Sequence, residues 1–92
     1  SKKKRIFILA IIRLWKFETR RCLCATRVSN IQNLHSLDFA VEKSSSSIVL
    51  VGQDEHSRTV VCVYNTSNAL KGSIEFLSRA TTDVLITHIR FV

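Results

Sequence analysis

Apolar and polar residues along this chain fall into short runs of strand-like composition separated by polar turns, and no apolar period of 3.6 residues persists beyond the first twenty positions. The pattern predicts an all-β chain. Strands are expected at about 6–16, 21–25, 34–41, 48–52, 59–65, 73–78 and 84–92. In "LDFAV", Leu37, Phe39 and Val41 share one face while Asp38 and Ala40 share the other, the alternation of a strand with one face in a core. "IVLV" at 48–51 is apolar on both faces and is expected to be a central strand covered on both sides. The serines at 44–47 and "GQDEHS" at 52–57 read as the turns around it.

Two of these runs recur. "IIRLWKF" at 11–17 aligns with "VVCVYNT" at 60–66 at an offset of 49 residues, and "SLDFA" at 36–40 aligns with "HIRFV" at 88–92 at an offset of 52. A period of about 40 to 50 residues built of four strands is the signature of a propeller blade, whose sheet buries its faces only by stacking on neighbouring sheets.

"IIRLWKFETRRCLCAT", with Trp15-Lys16 in the Trp-Asp position, and the long stretch ending in "VVCVYNTSNALKGSIEFLSRATTD", with Tyr64-Asn65 there, resemble WD40 repeats. Leu37 to Val92 resembles more specifically the large ciliary and centriolar WD-repeat proteins and, more distantly, the EML microtubule-associated family. The resemblance implies a propeller fragment: the end of one repeat at 1–27, a complete repeat at 28–83, and the first strand of a third at 84–92. It makes Trp15, Leu37, Phe39, Asp54, Tyr64, Ile89 and Phe91 structural repeat positions, with Trp15 and Tyr64 packing between sheets. A buried turn tetrad is not complete, because Thr81 stands in the usual place of its His and Tyr64 in that of its Trp, leaving Asp54 as the acidic member. At 92 residues the chain is expected to be part of a longer polypeptide or to complete a propeller supplied by another chain.

Charge adds a possible partner. The net charge is +7, yet the first 27 residues carry +8 and the remainder −1. Such asymmetry attracts an acidic surface. Lys2, Lys3, Lys4, Arg5, Arg13, Arg20 and Arg21 are the candidate contacts, and tubulin or ciliary and centriolar proteins are the partners that the resemblance implies. The expected setting is the cytoplasm and cytoskeleton, at a cilium, axoneme or centriole. The alternative is a basic arm for nucleic acid on a β scaffold, although Phe7, Trp15 and Phe17, the aromatics among those charges, fit strand cores.

Little else points to chemistry. "IFILAII" after "SKKKR" is cut off by Arg13 and Lys16 well short of a bilayer span, so no membrane anchor is expected. Cys22, Cys24 and Cys62 are odd in number and lack zinc spacing, and they read as reduced, buried thiols. His35 and His88 leave a tetrahedral metal site half empty, and the cluster Asp54 to Ser57 reads as a polar hairpin loop. No catalytic residue, metal or cofactor is assigned.

Overall fold

A computed structural model describes residues 10–28 and 30–92. Among the described residues, six antiparallel strands form two sheets. β1 (Ala10–Lys16) pairs with β2 (Arg21–Val28), while β3 (Asn33–Glu42), β4 (Ser45–Gln53), β5 (Thr59–Asn65) and β6 (Glu75–Thr82) form a four-stranded meander in sequence order. A single 3₁₀ turn, Ala69–Lys71, precedes β6 and ends on Gly72 at a φ of 85°, a conformation that glycine adopts without a Cβ penalty.

β4 is the central strand that its composition predicts. Ile48 to Val51 are all buried, because β3 and β5 flank the strand and both of its faces are covered. Ile48 and Leu50 point toward the β1–β2 hairpin and join Ile12, Val28, Ile31, Val60, Cys62 and Tyr64 in the core between the two sheets. Val49 and Val51 point the other way. On that second face the segment after β6 returns across the sheet: Thr59 Oγ1 donates to the Val84 carbonyl at 2.7 Å and accepts from the Ile86 N–H at 3.2 Å. Farther along, Ile89 N–H donates to Ser36 Oγ at 3.4 Å and Phe91 N–H to Asp38 Oδ2 at 2.8 Å.

Several expectations are corrected by this arrangement. Residues 84–92 form no ladder with the described strands, since their backbone is held by the side chains of Thr59, Ser36 and Asp38. Leu37 and Phe39, read as core, are 44% and 47% exposed. They share a face with Leu50 and Ile48, but the two-stranded hairpin does not extend over β3. The opposite face of β3, with Ser36 and Asp38, is the half-buried one because the returning segment crosses it.

The serine run is not a loop either. Only Lys43 and Ser44 turn, with Lys43 at a φ of 51°, and Ser45 to Ser47 belong to β4. There the hydroxyls of Ser46 and Thr66 meet at 2.6 Å and the Thr66 N–H donates to the Ser46 carbonyl at 2.9 Å, which extends the pairing past the end of β5. The last strand runs over Glu75–Thr82 instead of 73–78, and β1 is described from Ala10, with 6–9 outside the described residues.

Candidate interaction surfaces

Of the two recurrences in the sequence, that of 11–17 at 60–66 is present in three dimensions, down to an irregularity in pairing, whereas 88–92 form no strand to match 36–40 in β3. In β1–β2 the register shifts between Leu14 and Trp15, so that Leu14 faces Cys24 and Trp15 faces Cys22. In β5–β6 it shifts between Val63 and Tyr64, so that Val63 faces Ser78 and Tyr64 faces Phe76. A β-bulge therefore stands at the same repeat position in both hairpins, and a bulge is a specific local device rather than a random fault. Ile11, Arg13 and Trp15 correspond to Val60, Cys62 and Tyr64.

Burial separates the two copies. Tyr64 is 4% exposed and meets Phe76 edge-to-face, with ring centroids 5.6 Å apart. Trp15 is 59% exposed, because it points away from the larger sheet, on the face of β1 opposite Ile12. Of the expected inter-sheet aromatics, only Tyr64 is covered by the described residues.

The basic residues divide in the same way. Arg13 lies on the outward face of β1 beside Ile11, at the repeat position of buried Cys62. Arg20 is in the β1–β2 turn with a φ of 55°, and Arg21 opens β2 opposite Lys16, so these three cations gather at the hairpin tip. All are exposed. Lys2, Lys3, Lys4 and Arg5 lie outside the described residues.

Asp54 closes its own turn instead of reaching a distant tetrad. Its Oδ1 accepts the N–H groups of His56 and Arg58 at 2.9 and 3.0 Å, and its Oδ2 accepts Arg58 Nε at 3.2 Å. Removal from water would raise its pKa, but the two backbone donors and the guanidinium outweigh that and hold the carboxyl below the usual aspartate value. Ile89 is half-buried and Phe91 is 39% exposed on the returning segment.

Cys24 and Cys62 are buried free thiols, and burial pushes both upward in pKa. Cys22 is exposed, contrary to the expectation of three buried thiols, because it sits at the bulge and edge of β2. Among the described residues no group of three or more His, Cys, Asp or Glu could hold a metal ion, and no helix is long and apolar enough to cross a membrane.

A cleft that no sequence pattern announces lies between the hairpin and strands β5 and β6 of the larger sheet. Its volume is about 350 Å³, with Thr26 and Arg27 from β2 on one side and Tyr64, Phe76 and Arg79 from β5 and β6 on the other.

A four-stranded antiparallel meander stacked face to face on a hairpin with the same bulge defines the class: an all-β propeller blade with part of a neighbouring one. The chain is 39% identical over 75 residues to WD repeat-containing protein 90 of Homo sapiens and 33% identical over 78 residues to WD repeat-containing protein 90 of Xenopus tropicalis. These matches take in 80% and 83% of the chain but only 4% of each relative. They support a WD-repeat family for this chain. No protein-family profile matches it, and no solved structure matches at a significant level.

Proposed function

We propose that this chain is a non-catalytic part of a WD-repeat interaction scaffold that works in a microtubule-based assembly such as a cilium, axoneme or centriole. The observation that carries the scaffold reading is the repeated hairpin: Tyr64 is sealed by a neighbouring sheet, while Trp15 offers the equivalent face for another sheet to cover. WD-repeat proteins are generally non-catalytic scaffolds, and other blades of the same or another chain are the first partners this arrangement calls for.

The microtubule setting is supported by the resemblance of Leu37 to Val92 to ciliary and centriolar repeats and by the cations at the hairpin tip. Lys16, Arg20 and Arg21 project from the stacked sheets where a rigid acidic surface could meet them, and their attraction would act over about 8 to 10 Å at physiological salt. Arg13 is better suited to the inter-sheet face than to that contact. Microtubule co-sedimentation of the full-length protein tests the reading. Arg20→Glu with Arg21→Glu should weaken pelleting and flatten its salt dependence, and unchanged pelleting would remove the tip from the mechanism.

One observation favours the nucleic-acid alternative. Trp15 and Phe17 are exposed beside these cations instead of lying in strand cores, which leaves aromatic faces open to stack on bases. Tight, salt-sensitive RNA binding in a mobility-shift assay, lost in Phe17→Ala, would favour it over the scaffold's acidic-protein partner.

A further inference from the structure

The outward face of the β1–β2 hairpin carries positive charge that no described carboxylate answers. Ile11, Arg13 and Trp15 of β1 lie on it, with Arg27 across from Ile11 and Ala25 across from Arg13. The matching positions of β5, Val60, Cys62 and Tyr64, are all buried, so the strand departs from its copy chiefly at Arg13, which stands where Cys62 does. Ile11 and Trp15 flank Arg13 and are left 43% and 59% exposed. Arg27 is the diagonal neighbour of Arg13, and like charges that close on one sheet face repel each other. Neither β1 nor β2 contains an Asp or Glu, and among the described residues neither arginine makes an ion pair. Both arginines line an open depression of about 210 Å³, together with Ile11, Ala25 and Thr26.

A sheet stacked on Ile11 and Trp15 would take these cations out of water as well. A guanidinium buried without a partner is costly, whereas one that meets a carboxylate is matched in both charge and hydrogen-bond geometry. We propose that the outward face is covered by a sheet of another repeat of the same polypeptide, and that this sheet places an Asp or Glu in the depression between Arg13 and Arg27. The inference rests on the stacked-sheet reading above and adds to it the chemistry of the covering surface. One carboxylate there serves both cations and relieves their repulsion. A repeat of the same chain is the occupant that fits: the relatives extend far beyond the 4% that this chain spans, and a sheet already sits against the other side of this hairpin. A second copy docked about a two-fold axis would set the same face against itself and bring arginine against arginine.

Carbodiimide treatment of the full-length Arg13→Lys protein provides the test, because the reagent joins an amine to a carboxylate in contact with it, with loss of water. Mass spectrometry should find residue 13 linked to an Asp or Glu in another repeat of the same chain, and hydroxyl-radical footprinting should find Trp15 protected. Arg13→Leu gives a second measurement, whose sign differs between the two cases. With a carboxylate opposite, the substitution strands that group, and native-state proteolysis of the hairpin should quicken by about tenfold or more. Without one, it removes an unpaired charge, and proteolysis should be unchanged or slower. A protected Trp15 with no link at residue 13 and no quickening in Arg13→Leu would overturn the carboxylate while leaving the stacked sheet standing. A freely oxidised Trp15 would overturn both. A link to a different protein would overturn the assignment to the same chain.

Discussion

Trp15 and Tyr64 occupy the same position of two bulged hairpins, 49 residues apart, yet one is open to solvent and the other is sealed. The difference lies in what covers them and not in the strands that carry them. Ile12 and Leu14, on the inward side of β1, lie against the core that includes Tyr64, whereas Trp15 alternates to the outward side. Tyr64→Ala should therefore cost about 3 kcal/mol, the scale for truncating a buried aromatic. In the full-length protein Trp15→Ala should approach that cost if another sheet stacks there. Native-state proteolysis of the two variants measures both. A near-zero cost for Trp15→Ala would mean that no sheet covers the outward face.

Gly52 is held to its size by the strand beside it. It pairs with Leu34 and Val60 in the middle of the sheet, and a Cβ at this position would press on the Asn33 carbonyl and Ile31 Cγ2. Backbone cannot swing aside as a flexible side chain can. Gly52→Ala is expected to destabilise the sheet by about 1 to 3 kcal/mol through overpacking. Faster amide exchange across β3 and β4 would record it, while unchanged exchange would show that β3 moves aside freely.

The central strand was legible because a run with no polar face needs cover on both sides, and Ile48 to Val51 have it. The repeat was legible for a similar reason: equivalent residues at a fixed spacing belong to equivalent hairpins. Alternation fails where cover must be known as well as facing. It groups Leu37 with Phe39 correctly, but it cannot say that the hairpin stops short of them. Serine misleads in another way, since its usual place in turns hides the strand pairing that the Ser46 and Thr66 hydroxyls complete. The cleft was illegible because Thr26, Tyr64 and Arg79 come from three strands of two sheets, and no linear spacing announces their meeting.

Asp54 ties the stability of the β4–β5 turn to pH. The two N–H donors and Arg58 favour its charged form, so its folded pKa lies below the ordinary value near 4. The sign follows from linkage: the contribution is complete above the unfolded pKa and disappears as pH falls through the lower folded value. Proteolytic nicking of the turn at 54–58 should increase on acidification below about pH 4. Asp54→Asn should loosen the turn already at neutral pH and flatten that acid dependence. A wild-type profile that is flat between pH 5 and 2.5 would contradict this role.

Thr59 couples the sheet to the segment that crosses it. The residue is buried, and its one hydroxyl serves two backbone groups of that segment, giving its proton to the Val84 carbonyl and accepting the Ile86 N–H. Thr59→Val keeps the shape and the strand pairing but removes both bonds. Two backbone groups then lose their partners, at a cost of about 1 to 3 kcal/mol for each that remains buried. Because Ser36 and Asp38 hold the segment independently farther along, the loss should be local: the Ile86 amide should exchange faster while that of Phe91 changes less. Hydrogen exchange on peptides covering the two amides distinguishes this from detachment of the whole segment. Equal acceleration at both would mean that Thr59 anchors the entire crossing, and no change at either would mean that apolar contact with the sheet, and not this hydroxyl, fixes its path.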